Sequence, residues 1–405
     1  MYYRTPASVR PTPRTLFLGS YPPRECGIAT FLKDVVDSIG LVYGTTGEVV
    51  AIDEPGAEGR RYPSNVFARL PQDDRAAYKR IARMIDAHPA DLLNVQHEYG
   101  LFGGADGSWF LDILEEVRKP VVVSLHTVLP DPSAGHRAVA RRICERADAV
   151  VVLSQTGKDI LVDGYGVDPE KLHVIHHGVP DVPFRSTDVA KARFGLVGRT
   201  VISTFGLISR GKGLEYGVEA MRAIVRRHPD ALYLILGETH PGVRRFEGES
   251  YRRELAEMVA AYGLQNNVRL VDKYLEFDEL IDYLGATDIY LTPYLNPVQI
   301  VSGTLAYAIG LGKAVVSTPY LYAKELLANH RGMLAPFRDP AGIADAVGAL
   351  LDDPWLRRAI ERRAYRFGRQ MTWPNVARAY LGLFDELVPM VPGGRFDAAA
   401  LVQPA

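Results

Sequence analysis

A glycine-rich loop, GLISRGKG, is the first place in the sequence where the residue types suggest chemistry. It follows the apolar run VISTF and precedes a helical pattern. Its glycines, Gly206, Gly211 and Gly213, let a ligand approach the backbone, and the unpaired N–H groups of a helix start favour an anion. Arg210 and Lys212 add positive charge. The loop therefore predicts a diphosphate site, with an ordinary turn carrying two solvated cations as the alternative.

A second segment, YLNPVQIVSGT, has similar chemistry and leads into the helical pattern LAYAIG. Ser302 is a suitable helix N-cap, and together with Gly303 and Thr304 it offers several donors to a phosphate. Asn296 and Gln299 are candidates for recognising sugar hydroxyls. Simple capping of a buried helix is the alternative. Two anion-compatible helix starts in one half of the chain strengthen the ligand interpretation.

Three further polar groups follow predicted strands. His97 and Glu98, after LLNVQ, either contact an acceptor or form a strand-end turn with a hydrogen-bonded histidine. His126 follows VVVSL, and an isolated histidine in such a place is most often structural. His240 follows LYLILGET and either approaches a nucleotide or belongs to a turn. Because no clustered Cys or His partner accompanies these residues, we predict no metal site.

Arginines recur at helical spacing in one segment, at Arg137, Arg141, Arg142 and Arg146. Such a face can meet an anionic membrane or a lipid-linked acceptor. A solvated helix face is the more common structure for this pattern, and we favour it.

The elements that must position these residues alternate between strand and helix. Short apolar runs recur as TLFL, VVAI, LLNV, VVVS, AVVV and LHVI, and then as VISTF, LYLIL, VRLV, IYLT and AVVST. The segments between most of them carry apolar residues three and four apart, as amphipathic helices do. This alternation predicts an α/β protein with two Rossmann-like parallel-sheet domains. Ligands of such domains bind beyond the carboxyl ends of the strands, here in a central cleft that the two domains face.

The segment HHGVPDVPFRST lacks periodicity and predicts a linker, with the domain boundary near residues 178–190. We therefore expect an N-terminal domain over residues 1–180 and a C-terminal domain over 185–370. The tail, 391–405, is expected to be frayed.

Composition narrows the classes of function. The chain has 405 residues, with 47 Lys and Arg against 48 Asp and Glu, and this balance disfavours nucleic-acid binding. Its two cysteines, Cys26 and Cys144, fit reduced thiols. No apolar stretch suits a signal peptide or a membrane span. We expect a cytoplasmic protein, and peripheral docking at the inner face of a membrane stays open.

The same segments resemble a known family. The G-x5-K-G loop, the KAVVST strand after a helix of small residues, and the segment SQTGKDILVDGYGVDPEKLHVIHHGVP are together similar to the retaining nucleotide-sugar glycosyltransferases of family 4. The resemblance covers nearly the whole chain and implies the two-domain GT-B fold. It implies that Lys212 contacts the donor diphosphate, that the loop at Gly27 lies under the donor phosphates, and that His126 lies beside the donor sugar. It also implies that a C-terminal helix, about 374–390, braces the first domain.

The chain departs from the family pattern at three positions. Aligning LAYAIG with the usual EAMAxG puts Leu305 and Pro297 where the family usually carries two glutamates. Leu207 replaces the arginine that usually follows the loop glycine, and Arg210 is the candidate substitute. The family's ribose and sugar contacts therefore do not carry over, and the two amides of the second segment are suggested in their place.

The leading prediction is transfer of a hexose from a nucleoside diphosphate sugar to a saccharide or lipid-linked acceptor. Retention is implied by the resemblance, and the absence of any Asp-x-Asp triplet agrees with a reaction that needs no metal. We also expect no cofactor. Lys212 and Arg210 would stabilise the leaving diphosphate, and His126 would position the sugar. A sugar-nucleotide epimerase or glycoside phosphorylase of the same fold is one alternative. A non-catalytic sugar-nucleotide binding protein, suggested by the missing glutamates, is another.

Overall fold

The structure is a computed structural model that describes residues 13–44 and 47–388. This part of the chain contains two β-sheets. The strands of the first sheet are β1 (Thr15–Gly19), β2 (Glu48–Asp53), β3 (Val66–Pro71), β4 (Leu92–His97), β5 (Val121–Leu125), β6 (Ala149–Val152) and β7 (Leu172–Val174). Their order is β3-β2-β1-β4-β5-β6-β7, and β1 pairs in parallel with both β2 and β4.

The second sheet is parallel throughout. Its strands are β8 (Thr200–Phe205), β9 (Ala231–Leu236), β10 (Val268–Val271), β11 (Ile289–Thr292), β12 (Ala314–Ser317) and β13 (Met333–Leu334). Their order is β10-β9-β8-β11-β12-β13.

Helices connect most of these strands. They are α1 (Gly27–Tyr43), α2 (Arg75–Ala87), α3 (Phe110–Glu116), α4 (Ala134–Arg146), α5 (Gln155–Tyr165), α6 (Thr187–Arg193), α7 (Leu214–Arg227), α8 (Pro241–Glu247), α9 (Ser250–Ala261), α10 (Phe277–Ala286), α11 (Gly303–Gly310), α12 (Leu321–Leu327), α13 (Pro340–Asp352), α14 (Pro354–Gly368) and α15 (Trp373–Leu387). The predicted alternation of strand and helix in two parallel-sheet, Rossmann-like α/β domains is confirmed.

Both faces of the second sheet are covered by helices. Val218 and Met221 of α7 belong to a core cluster with Ile235 of β9. The next residue toward the N-terminus, Leu234, points to the opposite face and belongs to a second cluster with Leu305 of α11. Because both faces are buried, these strands read as continuous apolar runs rather than as alternating patterns.

The sequence pattern did not predict two of the strands, β3 and β13. Strand β3 pairs with β2 at the edge of the first sheet, and its residues VFARLP are mostly only partly buried. Strand β13 has two residues and pairs with β12 at an edge of the second sheet. An edge strand needs less apolar burial than a central strand, so its sequence carries a weaker signal.

The chain divides into two compact units by the density of its internal contacts. The first contains the described residues up to Ser124, Ala134–Val151 and those from Ala377 onward, and the second contains Leu125–Ser133 and Val152–Val376. This division assigns α5 and β7 to the second unit, whereas the sequence boundary near 178–190 follows the sheets. The predicted tail, 391–405, lies outside the described residues.

Helix α15 begins at Trp373, and its residues from Ala377 onward belong to the first unit. There the Tyr380 hydroxyl lies 3.0 Å from Ser124 Oγ at the end of β5, and both side chains are buried. This contact fixes the middle of the C-terminal helix to the strand that precedes His126.

Helix α4 carries the periodic arginines. Arg142 pairs with Glu115 at 3.1 Å and with Glu145 at 3.5 Å, while Arg141 is exposed. Among the residues that the structure describes, none of the helices combines the length and the apolar character needed to cross a bilayer.

Candidate functional site

The order of strands in the second sheet locates its ligand crevice. The chain begins at β8, adds β9 and β10 on one side, and then returns to place β11 on the other side. Such a reversal separates the loops that follow the two central strands and leaves a crevice at the carboxyl edge of the sheet. The loops after β8 and β11 are the GLISRGKG and YLNPVQIVSGT segments. The tertiary structure thus brings together the two anion-compatible segments of the sequence.

The loop after β8 is held along the end of β9. The Gly206 amide donates to Leu236 O at 2.9 Å, and the Ile208 amide donates to Glu238 O at 2.8 Å. Gly206 has φ +121°, and a Cβ atom on Gly237 would lie 2.3 Å from the Gly206 oxygen. Two glycines are therefore required for the backbones to approach this closely.

The loop after β11 closes directly onto the first loop. The Leu295 amide donates to Gly211 O at 2.9 Å. Gly213 has φ +60°, and a Cβ atom there would lie 2.3 Å from Pro293 O. The two loops therefore form one continuous backbone surface at the crevice.

Lys212 and a row of hydroxyl groups line this surface. Lys212 Nζ lies 3.9 Å from the ring centroid of Tyr294. The Tyr294 hydroxyl lies 2.8 Å from Thr304 Oγ1, which lies 3.1 Å from Ser302 Oγ. Ser302 Oγ accepts the Leu305 amide at 3.3 Å and so caps α11, as its sequence position predicts. A cation, several hydroxyls and a helix start together suit a phosphate group.

Arg210 has a different environment from Lys212, although only one residue separates them. Its guanidinium pairs with Glu254 at 2.7 Å and with Glu247 at 3.6 Å, and it lies 5.1 Å from the ring centroid of Tyr251. The hydrogen bond to Glu254 raises the pKa of Arg210. Its charge is thus already compensated by α8 and α9, and its contact with a donor remains a prediction.

The start of α7 is less open than the sequence suggests. The Leu214 amide donates to the Tyr251 hydroxyl at 3.0 Å, and that hydroxyl donates to Glu215. Burial, together with this bond to a carboxylate, raises the pKa of Tyr251. The Leu214 amide therefore already has a hydrogen-bond partner within the protein, and the binding of an anion at this helix start stays a prediction.

The amides of the second loop bind their own backbone. Asn296 Oδ1 accepts the Val298 amide at 3.2 Å, and Gln299 Nε2 donates to Val301 O at 2.9 Å. These bonds shape the turn that leads into Ser302. Recognition of sugar hydroxyls by Asn296 and Gln299 stays a prediction.

Leu305, the position aligned with the second family glutamate, is fully buried in the core, whereas Pro297 is exposed. An unpaired carboxylate buried at position 305 would therefore lose its hydrating water and gain no compensating interaction. The side chain at position 305 points into the core, and this explains why it is apolar and not a carboxylate.

His240 lies beside the glycine-rich loop. Its amide donates to Ile208 O at 3.0 Å, and its Nδ1 accepts the Gly242 amide at 3.1 Å, which caps α8. His240 therefore belongs to the turn that begins α8, and its approach to a nucleotide stays a prediction.

His177 is a residue of this site that sequence reasoning overlooked. A Cβ atom on Gly303 would lie 2.8 Å from His177 Nε2, so the imidazole lies against the first residue of α11. His177 Nδ1 lies 2.8 Å from Gly178 O and can donate to it. Burial lowers the pKa of His177 to about 4, so the ring is neutral at pH 7. The segment HHGVP carried the signal, although its lack of periodicity identified it as a linker.

Gly27 and His126 each follow a strand of the first sheet in the chain. Gly27 is the first residue of α1, after strand β1, and a Cβ atom on it would meet nothing within 4 Å. His126 directly follows β5 and is partly buried. Their contacts with a donor stay predictions.

His97 does not match either expectation for it. It is 1% exposed, and its ring lies 5.3 Å from those of Tyr99 and Phe102 and 5.4 Å from that of Phe110. Neither ring nitrogen has a hydrogen-bond partner, and burial lowers the pKa of His97 to about 3. The histidine is therefore neither hydrogen bonded nor open to an acceptor. The adjacent Glu98 caps a short turn by accepting the Tyr99 amide at 3.0 Å.

The described residues contain no group of three or more His, Cys, Asp or Glu side chains arranged to hold a metal ion. We call Lys212, Tyr294, Ser302 and Thr304, at the crevice between β8 and β11, the switch-point cluster. With the backbone amides beside it, this cluster offers hydroxyls, amides and one cation, which is the donor set of an anion site.

Comparison with solved structures identifies the fold as GT-B. Anabaena HepE, solved with UDP and glucose, superposes with a TM-score of 0.72 at 18% identity, covering 92% of this chain and 100% of HepE. Sucrose-phosphate synthase of Thermosynechococcus elongatus gives 0.72 at 16% identity, covering 92% of this chain and 99% of the synthase.

Family models match both halves of the chain. Residues 42–181 match the model described as Glycosyltransferase Family 4, and residues 199–353 match the model described as Glycosyl transferases group 1. The chain belongs to this family of glycosyltransferases, as the sequence resemblance predicts.

Curated relatives agree with that assignment. The D-inositol 3-phosphate glycosyltransferase of Acidothermus cellulolyticus is 25% identical over 293 residues, which are 66% of this chain and 62% of that enzyme. The one from Corynebacterium glutamicum is 25% identical over 313 residues, 72% of each chain. The chain thus spans about three fifths of the length of the Acidothermus relative.

Proposed function

We propose that this protein transfers a hexose from a nucleoside diphosphate sugar to a saccharide or lipid-linked acceptor, with retention of anomeric configuration and without a metal or cofactor. The observation that carries the proposal is the cluster of Lys212, Tyr294, Thr304 and Ser302 at the crevice between β8 and β11. Family membership supports the class of reaction.

Charge stabilisation is the chemical task of this cluster. As the glycosidic bond to the diphosphate breaks, the leaving group gains negative charge. Lys212 supplies a positive charge, the hydroxyls of Ser302 and Thr304 donate hydrogen bonds, and the start of α11 adds its dipole. These interactions are stronger for the leaving diphosphate than for the intact donor, so they lower the barrier. His126 positions the sugar in this proposal.

The neutral imidazole of His177 is compatible with the role of the α11 dipole in this mechanism. A protonated histidine against the first turn of α11 would repel the positive end of the helix dipole. Because its pKa is about 4, His177 can pack there uncharged while the dipole acts on the donor.

A thermal-shift screen with the glucose and mannose conjugates of UDP, GDP and ADP tests donor binding. A ligand bound only by the folded state raises the melting temperature, and at a hundredfold excess over Kd it stabilises by about 2.7 kcal/mol. One nucleotide class should raise the melting temperature of the wild type and of Lys79→Ala, which alters an exposed lysine of α2. The shift should shrink in Lys212→Ala. A donor that shifts all three proteins equally would place the diphosphate elsewhere.

Product analysis separates the competing reactions. The proposal expects a glycoside whose formation needs an acceptor and whose anomeric configuration, read by NMR, matches that of the donor. An epimer formed without acceptor would indicate an epimerase, and dependence on orthophosphate would indicate a phosphorylase. Tight nucleotide binding with no product over a broad acceptor panel would favour a binding protein, the alternative that the apolar Leu305 and Pro297 suggest.

A further inference from the structure

A cavity of about 440 Å³ lies at the opposite edge of the second sheet from the switch-point cluster. Two of its lining residues, Asp288 and Lys313, come directly before β11 and β12. Lys212 and Ser302 belong to loops that follow the carboxyl ends of strands in the same sheet. Because β11 and β12 each have four residues, the two edges are roughly 13 Å apart at about 3.3 Å per residue. The cavity is therefore separate from the proposed donor site.

The wall of the cavity carries an excess of positive charge. Its five cationic side chains are Arg185, Lys191, Lys313, Arg357 and Arg358. Its three carboxylates are Asp188, Asp288 and Glu361. The lining thus has two more positive than negative groups, whereas the chain as a whole has a net charge of −1.

Two of the carboxylates are already satisfied by the protein. Asp288 Oδ2 accepts from the Val201 amide at 2.7 Å and lies 2.7 Å from Lys191 Nζ. Asp288 Oδ1 accepts the Thr187 hydroxyl at 3.0 Å. With its oxygens occupied in this way, Asp288 neutralises Lys191 and leaves the positive excess to the other cations.

Glu361 is shared by the two arginines of α14. It lies 2.9 Å from Arg358 and 3.7 Å from Arg357. The Arg358 guanidinium also lies 4.4 Å from the ring centroid of Phe184. One carboxylate cannot neutralise two guanidinium groups, and Arg357, at the longer distance, retains more capacity for another anion.

Lys313 brings a buried positive charge to the cavity. It is 7% exposed, and its ammonium donates to Gly285 O at 3.2 Å and to Thr287 O at 3.1 Å. These acceptors are neutral carbonyls, and an ammonium has three donors. Burial lowers the pKa of Lys313 to about 8, so it is mostly charged at pH 7. Asp288 and Glu361 already offset part of this cost, and a further anion in the cavity would offset more of it.

An exposed indole completes the site. Trp355 lies in the first turn of α14, lines the cavity and is 86% exposed. A large apolar ring left in water beside a cationic cavity offers a surface on which the organic part of a ligand can pack.

We propose that this cavity binds a small phosphorylated organic molecule, with the phosphate between Lys313 and Arg357 and the organic part against Trp355. A phosphate monoester carries about −1.5 to −2 at pH 7, which matches the positive excess of the lining. The site takes its ligand independently of the donor reaction, so the proposal stands whether or not the proposed function holds.

Calorimetric titration of the full chain with phenyl phosphate and with inorganic phosphate tests the proposal, in saturating concentrations of whichever nucleoside diphosphate the thermal-shift screen identifies. The expected result is one saturable site per chain that Lys212→Ala does not affect. Arg357→Gln should weaken binding of both probes by about tenfold to a hundredfold. Arg362→Gln, on the same helix but outside the cavity, should bind as the wild type does. Trp355→Ala should weaken phenyl phosphate more than inorganic phosphate.

Three results would overturn the proposal. These are no saturable binding at tens of millimolar, binding lost in Lys212→Ala but kept in Arg357→Gln, and equal affinities in every variant. The second result would put the probe at the loops after β8 and β11. Melting curves without ligand check that each variant is folded. If Arg357→Gln does not fold, the titration is repeated with Arg185→Gln, which changes an exposed arginine of the cavity.

Discussion

Lys212 and Arg210 show how strongly a residue's role depends on its immediate neighbours. Both belong to one short turn, yet Lys212 lies over the ring of Tyr294 and Arg210 is paired with two glutamates. A cation that already has carboxylate partners must give them up to bind a phosphate. We therefore expect the two side chains to contribute unequally to catalysis.

Lys212→Ala should lower kcat/KM by about 10²- to 10³-fold, the range for losing a group that stabilises transition-state charge. Arg210→Ala should lower it much less, because its charge is already compensated. Steady-state kinetics with the donor identified by thermal shift measures both. Equal losses in the two variants would contradict the assignment of Lys212 as the principal cation.

His97 should make the protein sensitive to acid. Its pKa is about 3 in the folded state, well below the usual 6.5, because of burial. Below pH 6.5 the unfolded chain binds a proton there that the folded chain does not, so stability falls as pH drops toward 3. One such proton changes the free energy of unfolding by up to about 1.4 kcal/mol per pH unit.

Urea unfolding of His97→Phe at pH 7, 6, 5 and 4 measures this effect. Phenylalanine fits the surrounding aromatic rings and cannot be protonated, so the variant should lose less stability over this range than the wild type. His330→Asn changes an exposed histidine and serves as the control. Parallel pH profiles for His97→Phe and the wild type would sink the idea.

At the scale of elements, pairs of loops and helix ends hold the site together. The loops after β8 and β11 touch through backbone atoms at Gly211, Gly213 and Leu295. Helix α5 is tied to α12 in a comparable way, because the Glu325 carboxylate accepts from the amides of Gln155 and Thr156, each at 2.9 Å, and from the Thr156 hydroxyl at 2.7 Å. Each contact joins segments that are distant in sequence.

Gly213→Ala should separate the two loops. The new Cβ atom would meet Pro293 O, and the positive φ is itself unfavourable for alanine. We expect about 1–3 kcal/mol of destabilisation, together with weaker donor binding. Gly211→Ala is the matched control, since its Cβ atom would meet nothing within 4 Å. Urea unfolding and the donor thermal shift should separate the two variants; similar behaviour would argue against the packed-loop description.

Glu325→Ala should destabilise the protein by about 1–2 kcal/mol, the cost of losing a good helix cap. Glu325→Gln keeps an acceptor but loses the charge that favours the start of α5, so it should fall between alanine and the wild type. Glu257→Ala, at an exposed position of α9, is the control. If the stability of Glu325→Ala in urea equals that of the control, the carboxylate contributes nothing.

At the scale of the whole molecule, the described residues include the proposed anion site and contain no side-chain cluster suited to a metal. We expect turnover to continue after dialysis against EDTA, because in the proposed mechanism Lys212 and the start of α11 stabilise the diphosphate. Rates before and after chelation are the measurement. Activity that disappears with EDTA and returns on adding Mg²⁺ or Mn²⁺ would show that a metal ion supplies the positive charge that stabilises the diphosphate.

Much of this architecture could be predicted from local patterns. All eleven apolar runs that the sequence analysis predicts as strands overlap strands of the two sheets. A continuous apolar run between two amphipathic helices is compatible with few structures other than a buried strand. Strands β3 and β13 were missed because edge strands need less burial. The capping role of Ser302 was also predictable, because an N-cap acts on amides within its own turn.

Contacts between distant segments lay beyond such reasoning. Nothing local to the sequence indicates that Tyr251 would occupy the Leu214 amide, that Glu254 would pair with Arg210, or that His177 would lie against Gly303. Each depends on which side chains two separate elements present to each other. The buried, unpartnered His97 is a similar case, because its environment comes from a loop and a helix further along the chain.

The sequence by itself determined where strands end, which residue types follow them and which family they match, because these properties are encoded within short windows of chain. The tertiary structure decided which cation of the glycine-rich loop is paired with carboxylates, which helix amides already have partners and where a positively charged cavity forms. Those outcomes depend on distances between residues far apart in sequence, and only the packing of both faces of the sheet sets those distances.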